Sequence, residues 1–257
     1  MEKEKIRSYA RELGADVVGF ASIDDYRCAA TVDPRTILDA VKSLVVLGYR
    51  EIDGAVETGN DRLCMASRIG ILHVSSRTNY LLCRYIEDEL GVKAVPVPVR
   101  EPLPMNTPAM GTVADVSLRH AAIAAGLGVF GRHNLVIHPR FGTRIIFAAI
   151  LTQLPLASDP PVKDDLCDDC GLCVESCPGH ALDEKGKTHV WHCLKASQPY
   201  GIGAAARYID RLLNASPDER KTLLRDPFFV ALYQALFIGF QYTCNRCVAV
   251  CPACIGV

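Results

Sequence analysis

Apolar residues recur at helical spacing near the start of the chain. Ile6, Tyr9, Ala10 and Leu13 share one face, which predicts a helix over residues 3–13. The period then changes. Val17 to Ile23 and Ser43 to Tyr49 are short apolar runs with β-branched residues, the pattern of strands. A long helix is predicted over residues 71–90, ending at Gly91, a residue suited to the left-handed turn that closes helices. Val92 to Val99 reads as a strand, which Pro96 and Pro98 confine to a sheet edge because proline donates no ladder hydrogen bond. Residues 115–125 read as helix and Thr143 to Thr152 as a strong strand. Prolines and aspartates over residues 155–165 mark a linker. Two further helices follow near 202–213 and 217–240, the second opened by Ser216-Pro217 with Asp218 and Glu219 in its first turn. Its apolar stretch, residues 228–240, is too short to span a bilayer and reads as a buried helix.

Composition adds bounds. The chain has 257 residues, 49% of them hydrophobic, enough for one large domain or two modest ones. The linker divides it into residues 1–157, where helices and strands alternate, and residues 158–257. A net charge of −1 does not point to nucleic acid, whose partners usually carry a basic excess. The opening MEKEKIRSYARELG is charged and amphipathic with no apolar signal core, so a cytoplasmic chain with no membrane partner is expected.

The cysteines change the picture most. Of twelve, nine follow residue 166. CDDCGLCVESCP places Cys167, Cys170, Cys173 and Cys177 in the C-x2-C-x2-C-x3-C-P spacing of a bacterial ferredoxin loop, and CNRCVAVCP repeats its latter half with Cys244, Cys247 and Cys251. Three thiolates of one tight loop wrap one face of a cubane, and the fourth is carried to a second cubane. The two loops are therefore expected to exchange ligands. One 4Fe-4S cluster takes Cys167, Cys170, Cys173 and Cys251; the other takes Cys177, Cys244 and Cys247 and needs an eighth ligand, either Cys193 or Cys254. The spacing fits structural zinc poorly, and disulfides need an oxidising compartment. Cys28, Cys64 and Cys83 stand apart and read as buried free thiols.

Gly126, Gly128 and Gly131 spell GxGxxG, but a helical stretch precedes them and Pro139 and β-branched residues follow, the reverse of a dinucleotide-binding context. These glycines read instead as a helix cap and a loop whose backbone approaches a ligand, with Arg132, His133 and Asn134 as its polar groups.

The segment AAGLGVFGRHNLVIHPRFGTRIIFAAILTQLPL, the cluster loop after it, the lone Cys193 and the CNRCVAVCP end together resemble the corrinoid-dependent iron–sulfur reductases, the epoxyqueuosine reductases and reductive dehalogenases. The resemblance implies an α+β chain: a nitroreductase-like α/β domain holding cobalamin, followed by a ferredoxin-like domain with two 4Fe-4S clusters. It implies an oxidoreductase that takes electrons from an external low-potential donor and reduces a small molecule, with the glycine loop near the corrinoid. Flavin is the alternative cofactor, since nitroreductase-like folds often hold it. The alternative function is an electron carrier or corrinoid reductase serving a partner corrinoid protein. The epoxyqueuosine reductases carry an acidic segment, roughly DSAPxxER, before AGLG; aligned there, this chain has Thr112 at the aspartate and Leu118 at the glutamate, with only Arg119 matching. Asp115, three positions displaced, and Tyr80 are the candidate proton donors. The chain also ends six residues after Cys251, short of the extension with which many epoxyqueuosine reductases hold tRNA.

Overall fold

A computed structural model describes residues 2–100, 103–106, 109, 111–238 and 244–254, the side chains of residues 237, 238 and 254 excepted. In chain order the elements are α1 (Glu2–Glu12), β1 (Val17–Ser22), β2 (Ser43–Arg50), α2 (Asp53–Glu57), α3 (Asp61–Leu90), β3 (Ala94–Val97), α4 (Leu118–Ala124), β4 (Val129–Phe130), β5 (Val136–Ile137) and β6 (Ile145–Thr152). They continue with α5 (Leu172–Glu175), α6 (Val190–Ser197), α7 (Ile202–Asn214), α8 (Pro217–Leu223), α9 (Pro227–Ile238) and α10 (Arg246–Ala249). This mixture of helices with an antiparallel sheet, followed by cluster loops, is the expected α+β class.

Four strands form one antiparallel sheet in the order β1-β2-β6-β3, and β4 pairs with β5 in a short hairpin. Successive side chains of a strand face opposite sides, and here both sides are covered. Phe20, Val45, Leu47 and Ile150 pack against α1 and α3. Ala21, Leu44, Val46, Ala149 and Leu151 pack with Ala121, Ala122 and Ala125 around α4. Burial on both faces explains why β2 and β6 read as continuous apolar runs. β3 pairs only with β6, so Pro96 sits on an edge strand as expected.

The segment read as a linker lies along the outer edge of β1. The Asp159 N–H donates to the Phe20 carbonyl at 2.8 Å, and Ser158 Oγ accepts from the Ser22 N–H at 2.8 Å. This strap covers an edge that would otherwise leave its backbone groups unpaired. Arg7 of α1 holds it through Asp159 at 3.1 Å.

Two expectations are corrected. The helix predicted over residues 71–90 begins at Asp61, with Asn60 accepting from the Arg62 N–H as its cap. Its first turns bury the charged Arg68 as well as Cys64, which interrupts the apolar stripe, so hydrophobic periodicity did not register them. The helix predicted over 217–240 is two: α8 stops before Leu224, and Pro227, unable to continue the ladder, starts α9 with Asp226 capping the Phe228 N–H at 2.8 Å. Nor is α9 buried all round, since Val230, Tyr233 and Leu236 are exposed. Residues 239 and 240 lie outside the described residues. No helix among the described residues is long and apolar enough to cross a membrane.

Candidate iron–sulfur site

Cys167, Cys170, Cys173 and Cys251 line one cavity of about 270 Å³. Three come from a single loop and the fourth from the far end of the chain, the exchange that the spacing predicts. Local polar groups shape the first loop. Asp165 accepts from the Cys167 N–H at 3.3 Å and Asp168 from the Cys170 N–H at 3.2 Å, turns that an aspartate side chain forms readily. Burial, then Cys167 and Cys170, push the Cys173 thiol up. Burial favours the protonated form of this thiol, so binding a metal there releases its proton.

The second set gathers around Cys247. Burial, followed by Cys244, Cys193 and Cys177, pushes its thiol up to about 12. Cys193 comes from α6, and just before it in sequence the rings of His189, the residue capping that helix, and His192 stack 3.7 Å apart. Cys254, the competing ligand, has its side chain outside the described residues.

The glycine loop binds the two halves of the chain together. Gly126 closes α4 in the left-handed conformation with φ +68°: its N–H donates to the Ile123 carbonyl, and the Leu127 N–H donates to the Ala122 carbonyl. A Cβ on Gly126 would sit 2.2 Å from the Pro160 carbonyl oxygen, and one on Gly128 would sit 2.3 Å from that of Ile137. The close approach expected toward a ligand at these glycines is therefore to the chain's own backbone. At Gly131 the near neighbour is the His133 ring, 2.6 Å from a Cβ there.

The polar residues of this loop turn to the cluster region. The Arg132 N–H donates to Cys167 Sγ at 3.3 Å, and its guanidinium pairs with Asp169 at 3.0 Å. Lys185 joins from the other side at 2.9 Å, and Lys185 and then Arg132 hold the Asp169 carboxyl below its ordinary range. Asn134 donates to Thr188 at 3.3 Å, and its carbonyl accepts from Arg119 at 2.6 Å. His133 is 3% exposed and lines the thiol cavity; burial pushes its imidazolium down to about 4.

Both candidate proton donors lie away from this cavity wall. Tyr80 is exposed on α3 beside Arg84. Asp115 is half-buried in the turn ahead of α4.

Sequence reading missed one pair. Arg68 and Glu51 form a buried two-pronged ion pair, both bonds at 3.0 Å, and Arg68 also donates to the Cys244 carbonyl at 3.3 Å. Their side chains are 7% and 3% exposed. Val56, Cys64 and Val248 form a small core beside them, packed with Cys247. The signal that marks Arg68 is its position: Cys64, Arg68, Ile71, Ser75, Thr78, Leu82 and Ile86 form one helical stripe, all buried.

Comparison with known proteins agrees with this geometry. The 4Fe-4S binding domain family matches residues 160–183. The epoxyqueuosine reductase of Bacillus subtilis (strain 168) is 23% identical over 279 residues, covering 97% of this chain and 63% of that protein. The chain thus spans less than two thirds of that relative. A crystal structure of epoxyqueuosine reductase with an epoxyqueuosine-modified tRNA-Tyr stem loop superposes with a TM-score of 0.63 at 18% identity, covering 99% of this chain and 66% of that one. A reductive dehalogenase structure, described as suggesting a mechanism for B12-dependent dehalogenation, has a TM-score of 0.61 at 18% identity over 96% of this chain and 37% of that one. At such identities the solved structures share the fold. The resemblance to epoxyqueuosine reductases is borne out in sequence and fold, and that to reductive dehalogenases in fold. The solved epoxyqueuosine reductase holds a tRNA stem loop, so a near-neutral net charge does not by itself weigh against nucleic acid. Net charge averages over the whole surface and says nothing of one local face.

Proposed function

We propose that this chain is an iron–sulfur reductase carrying two 4Fe-4S clusters, with residues 1–157 as the substrate-reducing domain and residues 158–257 as the electron-delivering one. One observation carries the reading. Cys251 lines the same cavity as Cys167, Cys170 and Cys173, so three thiols of one loop and a fourth from far along the chain surround one space. The second cluster would be held by Cys177, Cys193, Cys244 and Cys247. When bound, the clusters supply one-electron transfer at low potential, on the order of the −400 mV of plant-type ferredoxins. The protein's part is to gather the thiolates, to hold the loop through the Arg132 N–H on Cys167, and to lock the two domains through Arg132–Asp169–Lys185.

Cobalamin is the terminal carrier that the reductive dehalogenase relatives favour, with flavin the alternative. Gly126 and Gly128 form no open cradle for either, because their free sides meet protein backbone. For substrate we put a modified nucleoside in a tRNA stem loop first, because the relatives over nearly the whole chain are epoxyqueuosine reductases. An external electron donor completes the reading, with a small molecule as the alternative substrate. Asp115 and Tyr80 remain the proposed proton donors.

The test is iron and acid-labile sulfide in anaerobically loaded protein, where about eight of each are expected from two cubanes. Extraction of the same sample identifies corrinoid or flavin. Cys193→Ala should retain only one cubane. Stoichiometric zinc, or a single cubane in the unaltered chain, overturns the reading; two cubanes in Cys193→Ala moves the eighth ligand to Cys254.

A further inference from the structure

We infer that His133 donates a hydrogen bond from its Nε2–H to the cluster held by Cys167, Cys170, Cys173 and Cys251. This rests on the cluster reading above. Three observations meet at the ring. First, Nδ1 accepts from the Leu135 N–H at 3.0 Å, so in the neutral ring the proton sits on Nε2. Second, that Nε2 is fully buried and has no hydrogen-bond partner among the described residues. Third, His133 is one of the residues that line the thiol cavity.

A buried donor without a partner is costly, and native structures seldom leave one so. Here the loop holds the ring in place, with Gly131 lying so close that a side chain there would collide with it. The cavity offers the missing acceptor once sulfide and thiolate fill it. A cluster gains negative charge on reduction, and a donor aimed at its sulfurs stabilises the reduced state and raises the potential. His133 then complements the Arg132 N–H, which already donates to Cys167 Sγ at 3.3 Å. The residue would set how readily this cluster accepts an electron.

The test uses the full chain loaded with clusters. His133→Phe removes the donor and should lower the reduced-to-oxidised ratio of one cluster about tenfold at a fixed potential, a shift of ~59 mV for a one-electron couple. His133→Gln keeps an N–H and should recover most of that loss. A midpoint unmoved in His133→Phe with its iron intact overturns the inference while leaving the two-cluster reading standing. Fewer than two cubanes in the unaltered chain overturns that reading, and this inference with it. Where His133→Phe does not load, pulsed EPR of the reduced chain labelled with 15N-histidine decides. A weak nitrogen coupling that survives His189→Gln and His192→Gln supports the bond, and its absence rejects it in favour of a bridging water.

Discussion

Arg68 does two things that a surface arginine cannot. It neutralises Glu51 in a site closed to water, and it donates to the backbone of the second cluster loop at Cys244. Losing one partner of a buried pair strands the other charge, which costs about 3–5 kcal/mol. Arg68→Met is therefore expected to lower the melting temperature and to shed the cluster of Cys177, Cys193, Cys244 and Cys247 while sparing the other. Replacing both partners, Arg68→Met with Glu51→Leu, removes the stranded charge and should recover stability, since apolar replacements of such pairs are often neutral. Iron should stay low in the double variant, because the donor to Cys244 is still missing. Iron analysis and thermal melts on the three proteins separate these roles. Full iron in both variants would show that Arg68 does not hold the loop.

Among the elements, α4 and the turn after it connect sheet, strap and hairpin. Gly126 meets two demands at once, a left-handed backbone and a near contact with Pro160. Gly91, at the end of α3, meets only the first: its φ is +66° and nothing lies within 4 Å of a Cβ there. The pair separates the two costs. Gly91→Ala should lose roughly 1–2 kcal/mol, the conformational penalty alone. Gly126→Ala should lose clearly more, because the strap on β1 must also move. Chemical denaturation of both variants checks this, and equal losses would mean that the strap yields freely. The same contacts predict that a valine at Gly128 disturbs the β4–β5 hairpin whether or not a ligand is bound, so ligand affinity in such a variant reports on folding first.

At the scale of the whole molecule, the two regions draw stability from different sources. The sheet region has apolar packing on both faces of β2 and β6. The cluster loops have short helices, α5 and α10 of four residues each, and a cavity between them. Such loops rely on their metal, because ligand binding and folding are coupled. Stripping iron with a chelator under anaerobic conditions should therefore raise amide hydrogen exchange across residues 167–177, 186–193 and 246–251, and leave β2 and β6 protected. Equal loss of protection in β2 and β6 would mean that the clusters hold the entire chain together.

The sequence by itself determined the elements whose burial follows a local period, and the cofactor class. Apolar alternation and helical spacing depend only on neighbours a few residues apart, so α1, β1, β2, β6 and the end of α3 were legible. The cysteine spacing was legible for the same reason, since one loop must present three thiols to one face. What depended on distant partners was decided by the tertiary structure. The start of α3 was hidden because its buried stripe includes Arg68, which is tolerated inside only because Glu51 arrives from the end of β2. The sheet order β1-β2-β6-β3 and the strap on β1 are packing outcomes with no local code. So is the use of the glycines: GxGxxG records that backbone must pass close to something, and only the fold identifies that something as Pro160 and Ile137. His133 shows the same division. Its residue type was noticed, but its tautomer, its burial and its place on the thiol cavity come from a hairpin and a cluster loop brought together by the folded chain.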